Sequence, residues 1–288
     1  MTPKRGPAMT ATGERLDDLT AVERTLLLTL CGRAADAASA SALLADTVAA
    51  EVASRIDESV RSASAGDADL ARNVAIRARL LDDHVRDFVR RHPDAVVVEL
   101  GCGLETRAFR TELPETVDYY AVDLLSVIEL RRRLMPHHPR ETMIAASLDD
   151  PRWTDAIPAD RPAILVADGV LAFLDPAVAT RLLTTLTEHF PHGELVCQVN
   201  ITWLSRDLGR APELRKVGIP RGFQGFGIDD PAEVERLNPR LRFVDEFVLA
   251  RAPEHFPGFS RRFRTILRLL RLRTSWARLS TWVVRYRF

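Results

Sequence analysis

Lysine is almost missing from this chain of 288 residues. Lys4 and Lys216 are the only two, so 38 of the 40 basic residues are arginine. Alongside the abundant alanine this is a bias of the whole composition, and no single arginine signals function by itself. Net charge is missing too, because 40 acidic residues balance the 40 basic ones. Such a chain has no overall field to draw it to nucleic acid or to an anionic membrane, and neither is expected as a partner. Cysteine is scarce: Cys31, Cys102 and Cys197 are odd in number and form no CxxC pair, which argues against a disulfide framework and a zinc site and for a reducing interior. No stretch approaches the roughly 20 apolar residues of a membrane span. The opening MTPKRGPAMTATGERLDD lacks the apolar core of a secretory signal, so a soluble, cytoplasmic protein is expected. The GxSxG elbow of hydrolases is absent, which removes the anchor for nucleophilic acyl chemistry. The seven histidines are scattered. His137 and His138 adjoin in PHHP, but neighbours on a turn point apart, and no metal is expected.

What is present divides into a helical first third and an alternating remainder. Residues 21–56 are rich in strong helix formers, and residues 67–92 place Leu70, Val74, Leu81, Val85 and Phe88 at helical spacing before Pro93 stops the run. Residues 1–92 therefore read as a helical cap region and 93–288 as a Rossmann-like core. In the core, AVVVEL (95–100), YYAVDL (119–124), TMIAAS (142–147), AILVAD (163–168) and ELVCQVN (194–200) are short strands separated by helical stretches. That is the pattern of crossover units and a mainly parallel sheet. Residues 201–228 are polar and dotted with glycine, too long for an ordinary connection, and read as a lid. RFVDEFVLA (242–250) and the final STWVVRYRF add two strands without a crossover, expected as an antiparallel pair.

The chemistry starts where the first strand ends. Glu99, Gly101 and Gly103 in VELGCG occupy the carboxyl end of a parallel strand, where open sheets bind ligands, and the glycines let backbone approach a ligand closely. Asp123 follows Gly103 by twenty residues, at the end of the second strand, where an acid accepts hydrogen bonds from ribose hydroxyls. These two features fit NAD or S-adenosylmethionine equally. The third position of the dinucleotide pattern is Thr106, where a pyrophosphate cofactor wants glycine. S-adenosylmethionine has no phosphate and no such need.

At this point the sequence resembles the leucine carboxyl methyltransferase family, including its tetracenomycin-type polyketide O-methyltransferases. The resemblance runs through RARLLDD (77–83), VVVELGCGLETRAFR, YYAVDLLSVIELRRRLMP (119–136), DGVLAFLDP (168–176) and FGIDDPAEVERLNPRLRF (226–243). It implies a class I S-adenosyl-L-methionine-dependent fold: an α/β, mainly parallel seven-stranded sheet with an antiparallel C-terminal strand. It also implies residue roles. Arg77 would bind the carboxylate of the cofactor's methionine part, Asp123 with Leu124 the ribose, Ser147 and Leu148 the adenine, and Asp168 with Gly169 the methionine amine. Three departures stand out. Asp168 and Phe173 replace the glutamate and tyrosine of the usual Glu-Gly-Val-Leu-Met-Tyr-Leu, Ser147 replaces an aspartate, and the N-terminal helices carry no lysine.

The expected reaction is methyl transfer to an oxygen of a small-molecule acceptor, a carboxylate or a hydroxyl, in polyketide or other secondary metabolism. A carboxylate needs no base, whereas a phenol with a pKa near 10 does. In the lid, Trp203, Phe223 and Phe226, with Phe173 before it, are candidate acceptor walls. Arg206, Arg210, Arg215 and Arg221 are candidate anion partners, and no general base is evident. Two rival classes stay open: a nicotinamide oxidoreductase, and a non-methylating cofactor-binding scaffold or enzyme of the same fold. A homodimer is also open. The C-terminal segment from Ser260 carries nine arginines and no acid, yet Phe259, Phe263, Ile266 and Leu270 recur at helical spacing, so packing on the sheet is expected there.

Overall fold

One sheet organises the molecule. The computed structural model describes residues 14, 16 and 18–288; Lys4 lies outside them. Among the described residues the strands are β1 (Val96–Leu100), β2 (Asp118–Asp123), β3 (Glu141–Ala145), β4 (Ala163–Ala167), β5 (Gly193–Val199), β6 (Arg242–Val248) and β7 (Trp282–Arg287). Their order is β3-β2-β1-β4-β5-β7-β6. The first five run parallel, and β7 lies antiparallel between β5 and β6. The chain leaves β1 towards one edge and returns at β4, so strand order reverses between these two neighbours. A crevice opens at their carboxyl ends.

The near-continuous apolar strands follow from burial on both faces. β1 and β4 are buried along their whole length. Val96, Val98, Leu165 and Leu195 pack on one face with Leu182, Leu183 and Leu186 of α7 (Pro176–His189). Val97, Ile164, Val166 and Val196 pack on the other with Leu81, Val85 and Phe88 of α4 (Ala68–Arg91). Asp67 starts α4 by accepting the Leu70 N–H at 2.9 Å. His92 ends it outside the helical region, which a residue before a proline disfavours. Helix α4 is thus a layer of the sheet and also reaches the cap.

The cap proper is α1 (Leu26–Ala37), α2 (Thr47–Ser54) and α3 (Glu58–Ser64). The helix-rich run 21–56 is therefore broken. Asp36 at the end of α1 reaches forward to accept the N–H groups of Leu43, Leu44 and Ala45 (3.0, 2.8 and 3.2 Å), and Ala45 sits at φ +53°. A local side chain competing for backbone donors overrides the helix propensity of the alanines. Leu27, Leu30 and Val52 of the cap pack against Leu104 and against Val127, Leu130 and Leu134 of α6 (Leu125–Leu134), which docks the cap on the sheet domain.

The remaining helices are α5 (Arg107–Arg110), α8 (Thr202–Ser205) and α9 (Pro212–Lys216) in the lid, α10 (Ala232–Leu237), α11 (Arg261–Leu270) and α12 (Thr274–Ala277). In α11 the packed line differs from the expected one. Leu267 is fully buried, with Phe259, Phe263 and Leu270 beside it in the core, while Ile266 is 41% exposed and faces away. No helix among the described residues is long and apolar enough to cross a membrane.

Candidate active site

A cavity of about 770 Å³ opens at the carboxyl ends of β1, β2 and β4. That lies in the upper part of the range for small-molecule sites. Its floor is the sheet: Glu99, Gly101 and Gly103 after β1, Asp123 and Leu124 after β2, Ser147 and Leu148 after β3, and Asp168 and Gly169 after β4. Arg77 of α4 and Phe173 complete that side. All ten residues that the sequence assigns to cofactor contact therefore border one space.

Backbone geometry places the floor. Gly101 has φ +60°, and a Cβ there would lie 2.5 Å from Cγ2 of Val170, so both conformation and space demand glycine. Gly103, at φ +49°, donates its N–H to Asp123 Oδ2 at 2.7 Å, and the Leu124 N–H reaches Oδ1 at 2.8 Å. Each carboxylate oxygen keeps acceptor capacity for a ligand. Burial, partly offset by these two backbone donors, raises Asp123 above the ordinary aspartate pKa of 3.8. Arg77 and Asp168 form an ion pair, Nε to Oδ1 at 2.5 Å, with both side chains largely buried. Those two atoms make no well-directed hydrogen bond, so the pair is a contact of charges with unused donors and acceptors.

Beneath the floor runs a buried ionic network that joins cap to core. Glu99 is 1% exposed and accepts from Arg107 Nε at 2.9 Å and from the Tyr119 hydroxyl at 2.8 Å. Arg107, fully buried, also pairs with Asp82 of α4. Arg110 bonds Asp82 at 2.9 Å, Asp46 at 2.7 Å and Glu105 at 2.7 Å. Arg33 of α1 reaches Glu105 at 2.9 Å and the carbonyl of Leu104 at 2.8 Å. Burial pushes Glu105 upward, but the guanidiniums of Arg110, Arg33 and Arg107 outweigh it and hold its carboxyl well below the usual range. Arg131 of α6, paired with Glu141, donates to the carbonyls of Gly103 (3.2 Å) and Glu105 (2.7 Å) and fixes the loop from below. Thr106, fully buried, donates its hydroxyl to Asp46. Cys102 lines the cavity, but burial pushes its thiol well up, which removes a ready thiolate.

The leucine carboxyl methyltransferase model matches residues 27–187, more than half of the chain. The chain belongs to the leucine carboxyl methyltransferase family. Within that family it is 37% identical, over 82% of its length and 86% of the relative's, to the tetracenomycin polyketide synthesis O-methyltransferase of Streptomyces glaucescens. It is 31% identical, over 80% of its length and 84% of the relative's, to an S-adenosyl-L-methionine-dependent methyltransferase of Gibberella zeae. Among solved structures, an N-methyltransferase of Bradyrhizobium japonicum in complex with S-adenosyl-L-homocysteine shows 13% identity and a TM-score of 0.43 over 73% of this chain and 86% of that one. This leucine carboxyl methyltransferase family member is an enzyme, a methyltransferase.

Set against the family's motifs, the structure redistributes the expected lid residues. Trp203 is 56% exposed, with the Arg210 guanidinium 5.5 Å from its ring centroid, and Arg206 is exposed; neither lines the cavity. Phe226 is buried in the core beneath, and Phe223 packs 6.2 Å from Phe173 as a support. The inner lid face is instead Leu208, Ala211, Glu213 and Leu214. Sequence reasoning missed these, as it missed Arg33, Asn73 and Gln198, because none sits in a motif with its own signature. His138 of PHHP stacks edge-on against Phe109 at 5.0 Å, a packing role.

Proposed function

We propose that this enzyme transfers the methyl group of S-adenosyl-L-methionine to an oxygen of a small, largely apolar acceptor, in polyketide-type secondary metabolism and in a reducing cytoplasm, where its three buried thiols stay free. One observation carries the reading. Asp123, hinged to Gly103 by a backbone N–H, and the Arg77–Asp168 ion pair border one cavity at the sheet's switch point. A carboxylate with spare lone pairs suits a ribose diol, and a guanidinium beside a carboxylate suits an α-amino acid zwitterion. The unused Arg77 Nε and Asp168 Oδ1 are the buried, unsatisfied polar atoms that such a ligand would satisfy.

Bound there, the cofactor supplies an activated methyl group on a cationic sulfur. The rest is alignment. Arg77 and Asp168 hold the amino-acid end, Asp123 the sugar, and Ser147 and Leu148 border the base. Leu28, Ala172 and Leu208 close an apolar wall that excludes water and presents the acceptor in line. Thr106 supports this reading over a nicotinamide cofactor. At the position where a pyrophosphate needs glycine, the chain has a fully buried side chain that ties the loop to the cap. Calorimetry with S-adenosylhomocysteine and with NAD tests the cofactor, and transfer of a labelled methyl group to carboxylic and phenolic acceptors tests the reaction. Tight binding of NAD in place of S-adenosylhomocysteine would overturn the proposal, as would cofactor binding without transfer across a broad panel.

A further inference from the structure

Charge balances over the whole chain but not along it. From Ser260 to the C-terminus there are nine arginines and no acid. Arg278 and Arg285 are answered by Glu246, Asp245 and Glu194 of the sheet. Arg261, Arg262, Arg268 and Arg271, on and just after α11, are exposed and have no acidic partner among the described residues. Arg273 lies 5.0 Å from the ring centroid of Trp276, and Arg251 donates to the Thr274 hydroxyl at 2.5 Å. Asp69 of α4 is taken up by the Ser260 N–H at 2.7 Å and its hydroxyl at 2.5 Å, and Glu254 lies 3.9 Å from Nε2 of His255. The guanidiniums of α11 are left to solvent.

The same stretch exposes apolar surface. Ile266, Leu269, Leu272 and Trp276 are 41, 58, 69 and 44% exposed. Packing on the sheet accounts for Phe263, Leu267 and Leu270, which form one stripe of α11. It does not account for Ile266 and Leu269, which at three-residue spacing form a second stripe beside the first. Leu272 follows in the turn and Trp276 in α12, which packs against α11. This surface adjoins the cavity. The Trp276 carbonyl accepts the Leu279 N–H at 3.0 Å, and Leu279, Ser280 and Thr281 line the cavity wall.

Charge and apolarity together select the occupant. A second copy of this chain would bring the same arginines against these, like charge on like. Nucleic acid would answer the guanidiniums but leave the aliphatic side chains without an apolar partner. An anionic bilayer answers both: phosphate groups beside the arginine heads, the acyl boundary beneath isoleucine and leucine, and an indole at headgroup level. We infer that residues 261–276 are a docking surface for anionic phospholipid membranes. The segment lies in the headgroup plane without spanning the bilayer and sets the cavity beside it. Docking of this kind is independent of the reaction in the cavity.

The test floats the full-length enzyme with vesicles of one part phosphatidylglycerol to two parts phosphatidylcholine, and with vesicles of phosphatidylcholine alone. Binding to the first at least about tenfold tighter than to the second is expected. Arg268→Gln with Arg271→Gln should weaken it about fivefold for each arginine replaced. Leu269→Ser with Leu272→Ser should weaken it about tenfold or more. All four side chains are exposed, so the fold should be retained, read by circular dichroism. Quenching by acyl-brominated lipid reports the seating apart from these variants. Trp153 and Trp282 are buried, which leaves Trp203 and Trp276 in reach. Quenching should survive Trp203→Phe and be lost in Trp276→Phe. Quenching that Trp276→Phe leaves unchanged overturns the inference, as does equal binding to the two kinds of vesicle. So does failure to float with the anionic vesicles, whether or not polyglutamate or duplex DNA is bound instead. Calorimetry with S-adenosylhomocysteine reads the cavity separately, so failure of the methyl-transfer reading would leave the docking result standing.

Discussion

On the sheet side of the cavity, position is set by backbone. Gly101 and Gly103 take positive φ, and Asp123 is clamped by two N–H groups from its own and the neighbouring strand's end. On the cap and lid side, position is set by side chains that meet from far apart in the chain: Arg33 and Glu105 are 72 residues apart, Asp46 and Arg110 are 64. The first kind of wall tolerates little change in residue type at a few points. The second depends on complete sets of partners, because a buried charge left without one costs far more than the pair contributes. The cap is joined to the floor by these charges as well as by the apolar contact of Leu27, Leu30 and Val52 with Leu104 and α6.

Arg107 is the joint between the two sides, shared by Glu99 of the floor and Asp82 of α4, and it should give the largest effect. Arg107→Met leaves both carboxylates buried and short of a cation, and a loss of about 3–5 kcal/mol in denaturant unfolding is expected. A loss under about 1 kcal/mol would mean that Arg110 alone can hold the network.

Asp123→Ala tests the floor by itself. It removes the acceptor of two backbone donors and the proposed ribose contact while leaving the core strands intact. S-adenosylhomocysteine affinity should fall about 100-fold or more, read by calorimetry, with the fold retained by circular dichroism. The wild-type enzyme adds a pH test. Burial holds Asp123 above 3.8, and the ligand's hydroxyls favour its charged form. The free protein therefore binds the extra proton, and affinity falls as pH drops through that raised value. Affinity independent of pH between about 4 and 7 would remove Asp123 from the site.

These two positions also show how far the sequence could be read. All seven strands, Gly101, Gly103 and Asp123 are legible because their causes are local: an apolar run buried on both faces, a φ only glycine tolerates, an acid at a fixed distance from a loop. The break after α1 was hidden because Asp36 reaches forward to three N–H groups across an alanine-rich stretch that favours helix. Arg33 was hidden more deeply. Among 38 arginines nothing in the chain marks Arg33 as a partner of Glu105, and only the docked cap brings the two together.

Thr106→Gly puts back the glycine of the dinucleotide pattern and so probes whether the loop's chemistry is local. On the sheet-side view it should open the site to NAD. On the cap-side view it only removes a hydroxyl that Asp46 accepts, although Arg33 and Arg110 still pair with that acid. The expected result is a stability loss of about 1–2 kcal/mol and no NAD binding by calorimetry. Gain of NAD affinity would show that the buried threonine alone set cofactor choice.

The smallest effect should come from the outer face of the lid. Trp203 reads in the sequence as an acceptor wall and Arg206 as an anion partner, but both point away from the cavity, and Trp203 makes its charged contact with Arg210 in solvent. Trp203→Ala loses an exposed cation–π contact worth about 0.5–1 kcal/mol and nothing that an acceptor would touch. KM for any acceptor that the enzyme methylates should stay within about twofold in Trp203→Ala and in Arg206→Ala, whereas Leu214→Ala, on the inner face, should raise it about tenfold by removing apolar area from the wall. The contrast is what matters. If the outer pair changes KM as much as Leu214 does, the lid turns over during catalysis, and the division into an inner, substrate-facing surface and an outer, solvent-facing one holds only for the closed form.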